Sequence, residues 1–598
     1  MKKLSLLLLL AVLLGAAVAP AMAQDNLTAL ARYFPADTPL FAAVDISDGT
    51  LTQLDAVLGQ LGVLLPAGTI PPVTVTGLLD QAIQEQFQGD FQTAIRSWLG
   101  DTAAIGVASL DMSSPNAPVI AVVAITDRAK AVSFVSGLFA QQIENKLYTK
   151  EETNSFTLFV PTKDSYQSTI LAIGDEALFI VEDMELLGMP AAPLSENPKF
   201  TGTLAMLPGE GYGIQVYLDY SSFIGIMMEQ SAASMGMMGS MLGDFYNIIG
   251  AQAYGFALLD NRAFVMDIVQ TYNDTAALEE AGLVMNYPSG PVNADFARYL
   301  PADAPVALFG NNLGPATLNG FENLRVFGDM LQAQMKQMPD DAFNDDASRF
   351  LRDFNLGSIP TFINLAFSGA TGLSLETDVL PWMTGDYALY MRILPGAENG
   401  MPPIVPDMAL VIEATDPDAA QTLVTAVGSA ADQYKLEYQT ETIGSSQVLA
   451  FNAPFLNMLP LNPANVTDME RALVGSIDLL LGSNGEVLVG GTRPGVTYSL
   501  NPQGTTLADT PAFAEARQYA LADAQSMGYL NLRGFVPLLD HLAGLPTASD
   551  RELRDMQQIR MVLGALSTAS FSFSQGGDNA AVGRFVLTLG SEPLAPAQ

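Results

Sequence analysis

Two kinds of hydrophobic pattern alternate along this chain. Short apolar runs bounded by Gly, Pro, Asp and Asn predict β-strands, for example at residues 40–44 and 119–125. Elsewhere apolar residues recur at about every fourth position, which predicts helices with one buried face. One such set consists of Leu79, Ile83, Phe87, Phe91, Ile95 and Leu99, and it predicts either one helix or two helices broken near Gly89. Together the patterns predict an α+β protein with mainly antiparallel sheet, built from hairpins and packed crossing helices.

The same succession of elements occurs twice. Residues 31–39 (ARYFPADTP) and 297–305 (ARYLPADAP) each lead into an apolar strand, at an offset of 266. Further along, Asp127 and Asp416 each follow a Thr after an apolar strand, at an offset of 289, and the Thr-Asp pair predicts a helix N-cap. The offset then stays constant through the helix and into the next strand. This regularity predicts two homologous domains that arose by internal duplication.

The only two tryptophans of the chain mark one turn in each copy, and each turn opens an apolar strand. The predicted structural signature consists of Trp98, Gly100, Asp101, Trp382, Gly385 and Asp386. We expect tryptophan to anchor the turn in the core and aspartate to cap it. The functional alternative is a cation site or an acid–base pair in each copy. A lone carboxylate beside an apolar strand, however, offers calcium too few oxygen ligands.

The amino-terminal segment resembles a secretory signal. Lys2 and Lys3 precede an apolar stretch at residues 4–18, and small residues follow up to Ala23, where we expect cleavage. The apolar stretch is too short for a stable membrane anchor. We therefore expect the mature chain to be secreted, or to lie in the periplasm or cell envelope of a bacterium.

The predicted organisation has five segments. They are a signal peptide at 1–23, a first repeat domain at 24–272, a linker at 273–295, a second repeat domain at 296–590 and a disordered tail at 591–598.

Composition excludes several classes of function. The 598 residues include 63 acidic and 26 basic side chains, a formal net charge of −37, which argues against binding to nucleic acid or to an anionic membrane. The absence of cysteine excludes thiol catalysis, Cys-ligated zinc and iron–sulfur clusters. The presence of a single histidine, His541, argues against a histidine-based zinc site, which usually needs two or three histidines, and against a Ser-His-Asp triad. No phosphate-binding or dinucleotide-binding loop is present, so we predict no catalytic, cofactor or metal residues.

Two local clusters invite a binding interpretation. The first is rich in methionine and includes Met235, Met237, Met238 and Met241. Thioethers suit Cu(I), but without histidine we favour core packing or a pliable apolar groove lined by these four side chains. The second is the acidic run at residues 340–346, which lacks the Gly and the closing Glu of an EF-hand loop. A solvated loop is the simpler interpretation, and weak calcium binding stays open.

Several of these motifs resemble the DUF3352 family, which comprises bacterial extracytoplasmic proteins of unknown function. The resemblance rests on the strand-opening Pro-Ala-Asp-X-Pro, the run from Leu380 to Asp386 and the Thr-Asp helix cap. It covers most of the chain after the signal. The first copy departs from the pattern, with Arg96-Ser97 where the second has Leu380-Pro381. The resemblance implies an extracytoplasmic location and brings no activity.

Two hypotheses for function follow. The leading one is a non-enzymatic binding or structural protein whose partner is an unknown protein or apolar ligand. The alternative is a carboxylate-dependent hydrolase with its site between the two copies, because 63 acidic residues leave room for carboxylates that meet only in the fold. A metal-dependent module is a third possibility.

Overall fold

The computed structural model describes residues 27–64, 74–87, 90–109, 118–166, 168–223, 249–273, 290–336, 354–395, 404–452, 478–544, 550–575 and 579–593. The chain divides into two compact units. The first unit comprises Met1–Asp274 and Gly576–Leu594, and the second comprises Thr275–Gln575 and Ala595–Gln598.

The described strands are numbered β1 to β20 along the chain. Those of the first unit are β1 (Leu40–Asp45), β2 (Leu99–Val107), β3 (Val119–Ile125), β4 (Tyr148–Glu152), β5 (Thr157–Pro161), β6 (Ile170–Ile173), β7 (Ala177–Val181), β8 (Ile214–Leu218), β9 (Ile249–Leu259) and β10 (Ala263–Tyr272). Those of the second unit are β11 (Val306–Asn311), β12 (Asp386–Pro395), β13 (Ile404–Glu413), β14 (Tyr438–Ile443), β15 (Ser446–Asn452), β16 (Asp478–Ser483), β17 (Val487–Thr492), β18 (Ser526–Asn531) and β19 (Leu566–Gln575). The last strand, β20 (Ala580–Leu589), belongs to the first unit.

The described α-helices are numbered in the same way. They are α1 (Asp48–Leu64), α2 (Val75–Phe87), α3 (Arg128–Glu144), α4 (Pro198–Ala205), α5 (Leu313–Met335), α6 (Ile359–Thr371), α7 (Pro417–Tyr434), α8 (Arg493–Leu500), α9 (Pro511–Tyr519), α10 (Val536–Ala543) and α11 (Asp550–Ala565). Short 3-10 helices span Thr28–Tyr33, Met184–Leu186, Leu194–Glu196, Ala294–Tyr299, Leu356–Ser358, Leu380–Trp382, Leu507–Asp509 and Arg533–Phe535, and π-helical turns span Gln92–Arg96 and Leu375–Val379. Among the described residues, none of the helices has the length and apolar character of a membrane span.

The strands of the first unit form an antiparallel sheet in the order β4-β5-β6-β7-β3-β2-β1-β8-β9-β10-β20. Side chains on one face, such as Val44, pack in a core with α1, α2 and α3. Side chains on the other face include Phe41, whose ring lies 5.4 Å from that of Phe200 in α4. Helices therefore cover both faces of β1, which accounts for its continuous apolar sequence.

The strands of the second unit form an antiparallel sheet in the order β14-β15-β16-β17-β13-β12-β11-β18-β19. On one face Tyr390 and Val411 share a core with α8 and α9. On the other face Ile412 shares a core with Trp382 and with Leu423 of α7. The predicted α+β class with mainly antiparallel sheet is confirmed.

The predicted helical stripe over residues 79–99 is only partly helical. Helix α2 ends at Phe87, and after a short gap in the described residues the chain forms the π-helical turn Gln92–Arg96. Leu99 already belongs to β2, so the helical pattern is wrong at its last position. The turn ends there because the backbone joins a strand ladder, an interaction that the local pattern does not encode.

The last strand pairs with β10 over nine residue pairs, from Ala263 opposite Thr588 to Thr271 opposite Ala580. The predicted boundaries assign this strand to the second repeat domain at 296–590, whereas the contacts group it with the first unit. Those repeat boundaries stay a prediction, because a compact unit is defined by contacts and a repeat by ancestry.

A buried ion pair lies in the middle of this ladder. Asp267 is completely buried, and its carboxylate accepts hydrogen bonds from Arg584 Nε at 2.6 Å and from a terminal guanidinium nitrogen at 2.8 Å. The hydroxyl of Tyr212 donates to the same carboxylate at 2.5 Å. Since an unpaired buried carboxylate is costly, this contact favours one register and one partner for β20.

We predict that Arg584→Leu destabilises the first unit by about 3–5 kcal/mol, because it leaves Asp267 buried without its counter-ion. Urea unfolding of the full chain measures the loss. Lys150→Met removes the exposed pair with Glu152 in the same unit and should leave the midpoint unchanged. Equal midpoints for Arg584→Leu and the parent protein would contradict this role of the ion pair.

Candidate functional site

The first tryptophan turn is anchored in the core. Trp98 is buried, its ring lies 5.5 Å from that of Phe134, and its Nε1 donates to the Ala94 carbonyl at 2.9 Å. A Cβ on Gly100 would lie 2.7 Å from the Cβ of Ala124 in β3, so the turn can approach that strand only with glycine at this position. These contacts are structural in character.

Asp101 lies at the surface, paired with Arg96. The Arg96 guanidinium contacts the Asp101 carboxylate, lies 2.9 Å from the Asp48 carboxylate and donates to the Gly100 carbonyl at 2.9 Å. Arg96 is thus the cation that holds the start of α1 and the start of β2 together. This role gives a physical reason for arginine where the second copy has Leu380.

The second turn has the same anchor with different polar contacts. Trp382 is buried, and its carbonyl accepts a hydrogen bond from the Thr415 hydroxyl. A Cβ on Gly385 would lie 2.8 Å from the Cβ of Glu413 in β13. Glycine therefore again permits a close approach to the following strand. The Glu413 carboxylate accepts from the backbone N–H of Asp386 at 2.9 Å.

The carboxyl group of Asp386 is half-buried and lies near a second carboxylate. Burial raises its pKa, a hydrogen bond from Asn293 lowers it, and the charge of Glu413 raises it further, for a net increase above the ordinary 3.8. In the strand ladder Asp386 pairs with Asn311. Asp101, in contrast, comes one residue before the ladder pair of Thr102 with Asp45. The two signature aspartates therefore differ in register, exposure and partner.

The described part of the chain contains no recognisable metal site and no catalytic site built around histidine. No group of three or more His, Cys, Asp or Glu side chains converges there in a way that could hold a metal ion. His541 lies in α10 and is partly exposed. The methionine cluster with Met235, Met237, Met238 and Met241, and the acidic run at 340–346, lie outside the described residues.

A second buried carboxylate, which the sequence patterns did not single out, lies in the second unit. Asp407 is completely buried and accepts from Arg392 Nε at 2.6 Å and from the Thr492 hydroxyl at 2.5 Å. Arg392 also contacts the exposed Asp303. Like the pair of Asp267 with Arg584, this network satisfies its charges internally. The available signal was an aspartate beside or within an apolar strand, where an unpaired charge is not tolerated.

An apolar surface is exposed on the second sheet. We call it the sheet strip, and it consists of Leu308, Leu389, Met391 and Met408, which are 37–42% exposed. Leu308 pairs with Leu389 across β11 and β12, and Met391 pairs with Met408 across β12 and β13, so the four residues are contiguous. The strip lies on the same face as Ile412, because alternate residues of β13 point to one side.

The two signature aspartates should respond differently to neutralisation. The fold favours protonated Asp386, so wild-type stability falls as pH rises from about 3.8 through the raised pKa. Asp386→Asn removes that loss and should stabilise the second unit at pH 7 by up to about 1 kcal/mol. The gain should disappear below about pH 3.8.

Asp101→Asn is the matched control, because it removes a favourable partner of Arg96 and should bring no gain at pH 7. Thermal unfolding at pH 3.5 and pH 7 tests both variants, and a gain at both pH values for Asp386→Asn would contradict the electrostatic cause.

Comparison with known proteins gives a family and little else. No curated protein matches the chain. Three crystal forms of TP0453 are similar in structure, each with a TM-score of 0.21. Forms I and III are 8% identical to this chain in sequence, and form IV is 9% identical. Forms I and III cover 44% of this chain and form IV covers 43%, while the chain spans 86%, 87% and 82% of forms I, III and IV. At that TM-score the likeness establishes neither fold nor function.

The family model described as "Protein of unknown function (DUF3352)" matches residues 266–579, slightly more than half of the chain. The match includes the second tryptophan turn, the sheet strip and the buried Asp407. The chain belongs to the DUF3352 family.

Proposed function

We propose that this chain is an extracytoplasmic, non-enzymatic binding protein that binds an apolar ligand along the sheet strip. The observation that carries the proposal is the contiguous exposure of Leu308, Leu389, Met391 and Met408. Exposed apolar clusters of this kind are typical of ligand or partner sites. Two of the four side chains are methionines, which adapt their shape to different ligands.

The dimensions of the strip favour an extended hydrocarbon. It crosses three neighbouring strands, which lie about 4.8 Å apart, so it offers an apolar track about 10 Å wide. Leu410 and Ile412 continue the same face of β13 into the core that contains Trp382. A chain of methylene groups laid on the strip would gain about 0.8 kcal/mol for each buried CH₂.

The proposed location rests on the sequence. Lys2, Lys3 and the apolar stretch that ends near Ala23 have the pattern of a cleaved signal peptide. A chain without cysteine suits an oxidising compartment, because it has no thiol to oxidise. The net charge of −37 fits a protein kept in solution by self-repulsion.

We also propose that the two units descend from a duplication. Arg32 lies over the ring of Tyr33, and Arg298 over the ring of Tyr299, each with its guanidinium carbon 4.8 Å from the ring centre. Each arginine also donates to the hydroxyl of its tyrosine. A pair repeated at offset 266 with the same stacking distance supports common ancestry.

The helices that follow the Thr-Asp motif support the same conclusion. Asp127 and Asp416 each accept a hydrogen bond at 3.0 Å from a backbone N–H three residues later. At the other end of these helices, Lys146 and Lys435 both adopt a positive φ, of 59° and 55°. A non-glycine residue in this conformation is uncommon, so its recurrence at offset 289 is informative.

The alternative function, a carboxylate-dependent hydrolase, has one supporting observation in the second unit. Asp386 has a raised pKa and a neighbouring Glu413, as an acid–base pair requires. If the chain hydrolysed a substrate and Asp386→Asn abolished turnover, the proposal that the protein is non-enzymatic would be wrong.

We predict that Leu389→Glu weakens binding of Nile red, an uncharged apolar dye, by about tenfold, because it buries a charge in the middle of the strip. Fluorescence titration measures the affinity. Leu436→Glu introduces the same charge at an exposed leucine outside the strip and should leave the affinity unchanged. Equal affinities for Leu389→Glu and the parent, or equal losses in both variants, would refute the assignment of the strip.

A further inference from the structure

The second unit is inserted into the chain of the first. Residues of the first unit precede Thr275 and follow Gln575, and the chain between them belongs to the second unit. Strand β10 therefore pairs with β20 across a long interruption, and Asp267 lies 317 positions before Arg584. Closing so long a loop is costly in entropy while the intervening chain is unfolded. The first unit thus depends on a strand that follows the whole second unit.

Strand β20 completes the apolar core of the first sheet. Val265 of β10 lies opposite Val586, and Val269 lies opposite Val582. All four valines are buried. Removal of β20 would expose both pairs to water, leave Asp267 without its counter-ion and turn β10 into an open edge. The first unit is therefore incomplete without its last strand.

The same strand is fixed at both ends. At one end the backbone N–H of Tyr272 donates to the Asn579 carbonyl at 2.8 Å. At the other end the backbone N–H of Leu589 donates to the Arg262 carbonyl at 2.8 Å, and the Arg262 guanidinium donates to the Leu589 carbonyl at 2.8 Å. The point where the chain leaves the first unit and the point where it returns are consequently neighbours.

The second unit brings its own two ends together in the same way. The backbone N–H of Val292, where the chain enters, donates to the Ala524 carbonyl at 2.7 Å. The backbone N–H of Gln525 donates to the carbonyl of Phe573, near the exit, at 2.7 Å. Because Ala524 and Gln525 are consecutive, entry and exit lie about two strand spacings apart, about 10 Å. These contacts exist only when the second unit is folded.

We propose that the second unit is a closing device for the first: its folding holds β20 beside β10, and the first sheet is completed in that step. With the second unit folded, only the segments 273–291 and 576–579 separate the two strands from it. The loop to be closed then falls from about 300 residues to about 25, which raises the effective concentration of β20 at β10 about 40-fold.

Chain order gives the device a direction. A chain is synthesised from its amino terminus, so the first unit keeps an open edge at β10 until the second unit is complete. The closing step comes last and joins the two units into one sequence of folding events. This inference goes beyond the proposed function and requires no ligand on the sheet strip.

Hydrogen exchange of the full chain, followed by mass spectrometry, tests the proposal. Val411→Asp places a charge at a completely buried position and should unfold the second unit. We expect the amides of β20 to exchange about 40-fold faster than in the parent, and those of β6, in the same sheet, to change less. The matched control is Val562→Asp, at a residue of the second unit that is 56% exposed, and it should leave exchange of β20 unchanged.

Exchange of β13 shows whether the second unit has unfolded. If β13 stays protected, Val489→Asp is added at a second completely buried valine. With β13 unprotected, amides of β20 that exchange at the parent rate would overturn the proposal. Equal acceleration in β6 and β20 would also overturn it, because the two units would then unfold as one and no separate closing step would exist.

Cleavage of the folded protein tests the connection by itself. A protease site placed between Gln575 and Asn579 allows β20 to be cut from the second unit while both units are folded. We expect a labelled peptide of residues 579–593 to replace β20 in the cut chain and not in the uncut chain. The same peptide with Arg584→Leu should bind at least about tenfold more weakly. Equal entry of the peptide into cut and uncut chains, or entry into neither, would contradict the closing role.

Discussion

The fold depends on the need to cover both faces of a wide antiparallel sheet with apolar strands. In β12, Tyr390 points into one core, while Leu389 points to the other side and stays partly exposed. In β13, Ile412 is covered by α7 and its neighbours, but Met408 on the same face is not. Burial contributes about 25 cal/mol for each Å² removed from water, so an uncovered apolar region is a site where a ligand gains most. The sheet strip follows from this incomplete cover.

Charged side chains that are buried in the sheets must be paired with an opposite charge. Asp267 and Asp407 are both fully buried, and each is paired with an arginine on a neighbouring strand, Arg584 or Arg392. Such pairs add little net stability over apolar residues, but breaking one leaves an uncompensated buried charge. These ion pairs therefore contribute mainly to fixing the register in which the two strands pair. For Asp267 the consequence is that the last strand of the chain joins the first unit.

Sequence patterns predicted what is encoded locally and missed what depends on distant partners. The α+β class and the caps at Asp127 and Asp416 are confirmed, because strand runs and N-caps are short-range signals. The partner of β20 was not predictable, since pairing of β10 with β20 joins residues 317 positions apart at Asp267 and Arg584. The sheet strip was missed for the same reason: its four residues look like ordinary core positions until the cover of the sheet is known.

The tryptophan turns show the same limit at the level of a site. Both tryptophans are buried and both glycines lie close to the next strand, as the pattern suggests. Yet Asp101 and Asp386 differ in environment, because Arg96 lies beside one and Glu413 beside the other. Arg96 stands where the first copy departs from the pattern, but nothing in the sequence identifies Asp101 as its partner. Glu413 lies 27 residues beyond Asp386, so its proximity depends on the pairing of the strands.

Native mass spectrometry of the protein, purified without detergent from its own host, tests most directly whether an apolar ligand binds along the sheet strip. Binding along the strip predicts a reproducible extra mass that is released by mild activation and identified as a hydrocarbon-containing molecule. This extra mass should be missing from protein carrying Leu389→Glu. A mass equal to that of the bare polypeptide in every preparation, or a ligand retained by Leu389→Glu, would contradict binding of an apolar ligand along the sheet strip.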